Sequence, residues 1–171
     1  MINEQKLRIL DFDDTLVHSK SMVYVTNTET GKTFSLTPAE YAVYKAKPGD
    51  KFDFSEFSKL ISPTGIKKYN ELLKGFLTAS GQRKVVILTA RASVKPVAQY
   101  LKSVGITSGV QIVALANSDP MAKQRYVEKM INAGYDDVFF IDDSVDNVKA
   151  VANLKSKYPK VKIDARVAKP N

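Results

Sequence analysis

The sequence predicts an α/β chain, a parallel sheet doubly wound with helices on both faces and so three layers deep, and two features of it predict this. Apolar runs at residues 7–10, 85–88, 111–115 and 138–141 are continuous rather than alternating, the pattern of strands buried on both faces. Between them lie stretches apolar at helical spacing, each opened by a helix-start signal. A repeated strand–helix unit builds parallel sheets, because each crossover must carry the chain back along one face.

Taken in order, residues 7–10 form the first strand. Residues 23–36 break the alternation: two β-rich arms flank Glu29, Thr30 and Gly31, a hairpin signal. Thr37, Pro38 and Glu40 make a capping box for a short helix, and Lys47, Pro48, Gly49 and Asp50 read as a loop. Phe52, Phe54 and Phe57 are expected to pack beneath this insertion rather than to bind a ligand. Ile66, Tyr69, Leu72, Leu73, Phe76 and Leu77 recur at helical spacing, with Gly81 placed to end the helix. After residues 85–88, Ser93 opens a second helix with Val94, Val97, Ala98 and Leu101 on one stripe, Pro96 in its first turn and Gly105 beyond its end. Asp119 and Pro120 open a third, a side-chain cap followed by a residue already fixed near helical φ, and Gly134 ends it. Ser144 starts a fourth, with Val148, Val151 and Leu154 facing inward, and residues 161–167 add an edge strand. The expectation is a single Rossmann-like domain over residues 1–171, with a β-hairpin flap and small helical insertion within residues 16–83. No repeat, linker or low-complexity tract interrupts it.

Composition narrows the chemistry. With 44% hydrophobic and 26% charged residues the chain lies far from disordered sequences. It has no cysteine, which excludes disulfides, thiolate zinc sites and cysteine nucleophiles. The one histidine, His18, rules out a multi-histidine metal centre and reads as a solvated or flap residue near the site. No run approaches the roughly 20 apolar residues of a membrane span, and residues 1–10 lack the apolar centre of a secretory signal. An intracellular, cytoplasmic protein is expected. A net charge of +8 favours polyanionic partners such as nucleic acid, although the lysines at residues 45–51, 67–68 and 155–162 are spread, without an arginine-rich run.

Four of the apolar runs end in polar residues: Asp11, Asp13, Asp14 and Thr15; Thr89 and Arg91; Asn117; Asp142 and Asp143. Ligands of open parallel sheets bind outside the carboxyl ends of the strands, so these groups converge on one crevice. Crowded carboxylates repel one another unless a cation neutralises them, and hard oxygen donors without histidine or cysteine select magnesium. That ion commonly shares its shell with a substrate phosphate. Thr89 offers a hydrogen bond to a phosphate oxygen and a lysine offers charge balance, so the sum is phosphoryl transfer. Asp11 and Asp13, one residue apart just past a strand, divide the work: Asp11 attacks phosphorus to form an acyl phosphate, and Asp13 protonates the leaving oxygen and then deprotonates water.

In LRILDFDDT, VVILTAR, Lys123 and VFFIDDS, in that order over residues 7–148, the sequence resembles the haloacid dehalogenase superfamily of phosphatases, including its polynucleotide phosphatase domains. The resemblance implies Asp11 as nucleophile and metal ligand, and Asp13 as acid/base with its backbone carbonyl on a magnesium ion. It implies Asp143 as the remaining protein ligand, Asp142 behind it holding Lys123, and Thr89 and Lys123 on the transferring phosphoryl group. Lys129, about two turns along the same helix, competes with Lys123 for that role. Arg91 and Asn147 are candidates for substrate contact, Asn147 also for support of the metal loop. Asp14, Asn117 and Asp146 stand nearby without a clear role. The stretch between the first two signatures is too short for a large lid, so the expected activity is magnesium-dependent phosphomonoester hydrolysis in a capless or small-capped site open to nucleic-acid ends or nucleotides. A phospho-accepting signalling domain is the first alternative, but it carries its acidic pair after the first strand and its accepting aspartate after the third, the reverse of this order. A non-catalytic nucleic-acid-binding module is the second, and the intact carboxylates argue against it. A GxxxxGK(S/T) loop is absent, so no kinase half is offered.

Overall fold

The computed structural model describes residues 5–169. Its chain runs β1 (Lys6–Leu10), β2 (Val17–His18), β3 (Val23–Asn27), β4 (Thr33–Leu36), α1 (Pro38–Val43), β5 (Asp50–Asp53), a 3-10 turn (Ser55–Ser58), β6 (Thr64–Gly65), α2 (Lys67–Thr78) and β7 (Arg83–Thr89). It continues through α3 (Lys95–Ser103), β8 (Val110–Ala114), α4 (Pro120–Asn132), β9 (Asp137–Asp142), α5 (Val145–Ala152), α6 (Leu154–Lys157) and β10 (Lys162–Val167). Five strands pair in parallel in the order β10-β9-β1-β7-β8. Helices cover both faces, an arrangement compatible with a Rossmann-like fold.

The continuous apolar runs are explained by the two-residue period of a strand. Leu7 and Ile9 of β1 join Val86, Leu88, Val138 and Phe140 against Val127 and Ile131 of α4 and Val148 and Val151 of α5. Leu10, Val85, Ile87 and Ile141 face the other way, against Tyr69 and Leu73 of α2 and Val97, Tyr100 and Leu101 of α3. Both sets are buried, so neither alternate position can be polar. The chain goes from β1 to β7 on one side and returns to β9 on the other, which makes the β1–β9 seam the point where strand order reverses, the usual location of a ligand crevice.

Helix starts follow the sequence closely. Thr37 and Glu40 exchange hydrogen bonds of 3.1 and 3.0 Å in the expected capping box, Asp119 caps α4, and Ser144 caps α5. The stripe of α3 is the exception. Val94 is 46% exposed and Ala98 is exposed too, while Pro96, Val97, Tyr100 and Leu101 face the core. The helix is turned because Tyr100 brings the largest apolar surface: its ring meets Phe12 edge-on at 5.8 Å and its hydroxyl donates to Asn70 at 2.7 Å. Gly65 completes this packing, since a Cβ there would stand 2.7 Å from the Tyr100 oxygen.

The insertion between β1 and β7 holds the expected antiparallel hairpin, β3 with β4, and adds a third strand on the other side of β3. That strand, β5, pairs Val25 with Phe52 and begins at Asp50, where the sequence reads as loop. Asp50 is tied by Asn27 Nδ2, the Tyr44 hydroxyl and the Lys47 N–H at 2.7–2.8 Å, contacts that offset its poor strand propensity. Phe52 and Phe57 pack with Tyr41 and Tyr44 around Val23, Val25 and Leu36, as expected. Phe54 lies outside that core: it touches the rings of Tyr41, Phe52 and Phe57 but stays 42% exposed. Among the described residues no helix is long and apolar enough to cross a membrane.

Candidate active site

The β1 register places Leu10 level with Ile141 of β9, and the Asp11 N–H then donates to the Ile141 carbonyl at 3.0 Å, so Asp11 and Asp142 emerge side by side. Phe12 is fully buried, and its carbonyl accepts the N–H groups of Thr15, Leu16 and Val17 at 3.2, 2.9 and 3.3 Å. That turn leaves Asp11 and Asp13, on either side of the buried ring, to line one cavity. It also sets Asp14 at φ 60°, a left-handed conformation that an aspartate tolerates better than most residues. Asp14 Oδ1 lies 2.9 Å from Nδ1 of His18.

Lys123 reaches this point from the start of α4. Its Nζ donates to Asp11 Oδ1 at 2.8 Å and to Asp142 Oδ2 at 2.7 Å, and the side chain is buried. Burial alone would lower its pKa, but the attraction of Asp11 and Asp142 outweighs that and raises it, so the ammonium is firmly charged. Lys129, by contrast, is exposed on the same helix. Asp142 is the most heavily engaged of the three carboxylates Asp11, Asp142 and Asp143: Oδ1 accepts the Ser144 N–H at 2.9 Å, and Oδ2 accepts Asn147 Nδ2 at 3.1 Å as well as Lys123. Asn147 therefore braces the acidic loop, although it also lines the cavity.

Oxygens of Asp11, Asp142 and Asp143 all lie within 4.8 Å of one another. Burial, then repulsion from Asp142, pushes the Asp11 carboxyl well above the ordinary carboxylate range against the pull of Lys123. Burial likewise raises Asp143 to about 6. With Asp142 committed to Lys123, Asn147 and the loop, Asp11 and Asp143 remain as hard oxygen donors that fit a magnesium ion in ligand type.

Thr89, the last residue of β7, and Arg91 just beyond it are placed differently from expectation. Thr89 is 1% exposed and its Oγ1 accepts the Arg91 N–H at 3.1 Å; the cavity wall here is made by Ala90, Arg91, Ala92 and Ser93 instead. Arg91, read from sequence as a substrate contact, is buried and already occupied. Its Nε and Nη2 grip Asp13 Oδ2 and Oδ1, both at 2.8 Å, and its Nη1 donates to the Phe57 and Lys59 carbonyls at 2.9 and 3.1 Å. Four of its five N–H donors are thus spent. Each Asp13 oxygen still keeps a second lone pair for a ligand proton.

The cavity has a volume of about 380 Å3. Asp11, Asp13, Lys123, Asp142 and Asp143 line it from the sheet, and Pro38, Tyr41, Phe54 and Phe57 line it from the insertion. Asn117 and Ser118 contribute from the loop after β8, where Ala116 sits at φ 52° and is held by its N–H on the Arg91 carbonyl at 3.1 Å. Sequence reasoning missed the insertion's share of this wall; the density of aromatic residues between Tyr41 and Phe57 was the available signal. Asp146 is exposed in the first turn of α5, where its charge favours the helix dipole.

No family model, curated protein or solved structure matches this chain.

Proposed function

We propose that this chain is a magnesium-dependent phosphomonoester hydrolase, built on a doubly wound Rossmann-like sheet, that works through an aspartyl-phosphate on Asp11. The observation that supports it best is the meeting of Asp11, Asp13, Asp142, Asp143 and Lys123 in one cavity at the β1–β9 seam. An Asp11 oxygen attacks phosphorus, the ester P–O bond breaks, and Asp13 supplies the proton to the leaving oxygen. Water then attacks the acyl phosphate, Asp13 takes its proton, and Asp11 is released with inorganic phosphate. Lys123, fixed beside Asp11, balances the incoming phosphoryl charge. Asp11, Asp143 and the Asp13 backbone carbonyl would hold the magnesium ion, which when bound neutralises phosphoryl oxygens and lowers the barrier to attack.

The direct test is phosphate release from small phosphomonoesters, nucleotides and 3′- or 5′-phosphorylated oligonucleotides, with magnesium or with EDTA. Release is expected with magnesium only. No release from any ester would sink the hydrolase, and a stable phosphorylated protein without turnover would point to the signalling domain.

A second expectation concerns Asp143 and is read by thermal melting. A carboxyl raised from 3.8 to about 6 contributes stability that is present below its unfolded value and lost as pH rises through about 6. Above that pH, in EDTA, the wild type bears the cost of the crowded charge and Asp143→Asn should melt higher, the gap narrowing toward about pH 5. Magnesium should reverse the order, because an ion at a hundred times its Kd stabilises the wild type by about 2.7 kcal/mol and the variant has lost a ligand. A variant that melts lower in EDTA, or that gains as much from magnesium, would contradict the assignment.

A further inference from the structure

We propose that the leaving group of the substrate is a nucleoside whose base stacks on Phe54, as a free nucleoside monophosphate or as the terminal nucleotide of a strand. The phosphoryl end of this proposal rests on the hydrolase reading, and the stacking end rests on the insertion. The small core of the insertion, Val23, Val25 and Leu36 with Tyr41, Tyr44, Phe52 and Phe57, closes without Phe54. Yet Phe54 is held in place by three rings: edge-on to Tyr41 at 5.2 Å, stacked with Phe52 at 5.9 Å and 18°, and tilted against Phe57 at 6.3 Å. It stays 42% exposed where the insertion meets the cavity.

An ordered aromatic ring that the fold does not bury is a preorganised surface, and binding a flat partner on it costs little further ordering. Every nucleobase presents a π-face to such a ring. The cavity, at about 380 Å3, is more than a phosphate needs and sits at the small end of the range for small-molecule pockets. Its other wall is polar: Asn117 Oδ1 is used by the Asp119 N–H at 2.9 Å, which leaves the amide N–H groups for a base edge or sugar hydroxyl, and Ser93 and Ser118 stand beside it. A net charge of +8 suits a substrate whose remaining charge is phosphate.

The test compares kcat/KM, with magnesium, for nucleoside 3′- and 5′-monophosphates, 3′- and 5′-phosphorylated oligonucleotides, ribose 5-phosphate and glycerol phosphate. Esters carrying a base should exceed ribose 5-phosphate by roughly five- to 150-fold, the measured span of base–aromatic stacking. Phe54→Ala should bring that ratio close to one, mainly through KM, and Phe54→Trp should preserve it. The mononucleotide and oligonucleotide arms identify the source of the base. Equal turnover of ribose 5-phosphate, or a Phe54→Ala loss shared equally by all esters, would overturn the stacking site and leave the hydrolase standing. Calorimetric binding of a nucleoside monophosphate and of ribose 5-phosphate to Asp11→Asn separates the opposite failure: Phe54-dependent nucleotide affinity in a protein that releases no phosphate would remove the hydrolase and keep the site.

Discussion

Asp11→Asn is expected to reduce phosphate release on the order of 10^4- to 10^6-fold, the range for loss of a nucleophile that acts as one unit with its partners. An amide cannot form the acyl phosphate, and neither Asp142 nor Asp13 is free to replace it. Asp142 is bound by Lys123, Asn147 and the Ser144 N–H, and Asp13 is gripped by Arg91. The loss should leave the fold intact. Asparagine has nearly the same shape, its carbonyl oxygen keeps an acceptor for Thr15 or Lys123, and one of three crowded carboxylates disappears. Because burial and Asp142 hold the Asp11 carboxyl well above its ordinary range, the ionised group costs stability at neutral pH. The variant should therefore melt no lower than the wild type in EDTA. Activity within about tenfold of wild type would remove Asp11 as nucleophile, since a difference that small corresponds to only about 1.4 kcal/mol of barrier. A large fall in melting temperature would instead mean that the activity loss reports unfolding.

The sheet and the acidic end of the cavity were legible because both obey short-range rules. A continuous apolar run such as residues 138–141 has no stable exposed face, so it must be a doubly covered strand, and the polar residues that end it must lie at the sheet's carboxyl edge. Capping chemistry fixed the starts of α4 and α5 for the same reason: Asp119 and Ser144 satisfy N–H groups within three residues of themselves. The burial of Lys123 was not legible. Lys123 and Lys129 share a helix, and only the turn of α4 against β1 and β9 decides which ammonium meets Asp11. Strand β5 was missed because its stability comes from Asn27, Tyr44 and the edge of β3, all distant from the Asp50–Asp53 segment in local pattern. Phe54 escaped for a related reason: Phe52, Phe54 and Phe57 look alike in sequence, and which of them is left over depends on how the small core closes.

Arg91 shows most clearly how a tertiary contact changes a residue's meaning. A charged side chain after a phosphate-site strand suggests substrate binding, yet this guanidinium is 1% exposed and lies over the rings of Phe12 and Phe57 at 5.6 and 5.0 Å. Arg91→Ala is expected to cost about 3–5 kcal/mol, the cost of leaving a buried ionic partner alone, and so to lower the melting temperature by about 6–20 °C in a chain of this size. Two consequences follow from its partners. Asp13 loses the bidentate grip that fixes its carboxylate, and the Phe57 and Lys59 carbonyls lose the donors that tie the insertion to the sheet. Arg91→Lys separates them from a plain loss of charge, because an ammonium keeps the charge but lacks the planar fork. At a temperature where Arg91→Lys is still folded, its kcat should fall about a hundredfold, as expected for a reacting group displaced by about 1 Å. A merely structural arginine would lower the melting temperature and leave kcat of the folded fraction unchanged, and that outcome would detach Arg91 from Asp13 function. One guanidinium holds both Asp13 and the insertion's backbone, so its loss frees the two together. Proteolysis within residues 55–64 and loss of kcat should therefore appear together in Arg91 variants, and proteolysis without loss of kcat would break the link.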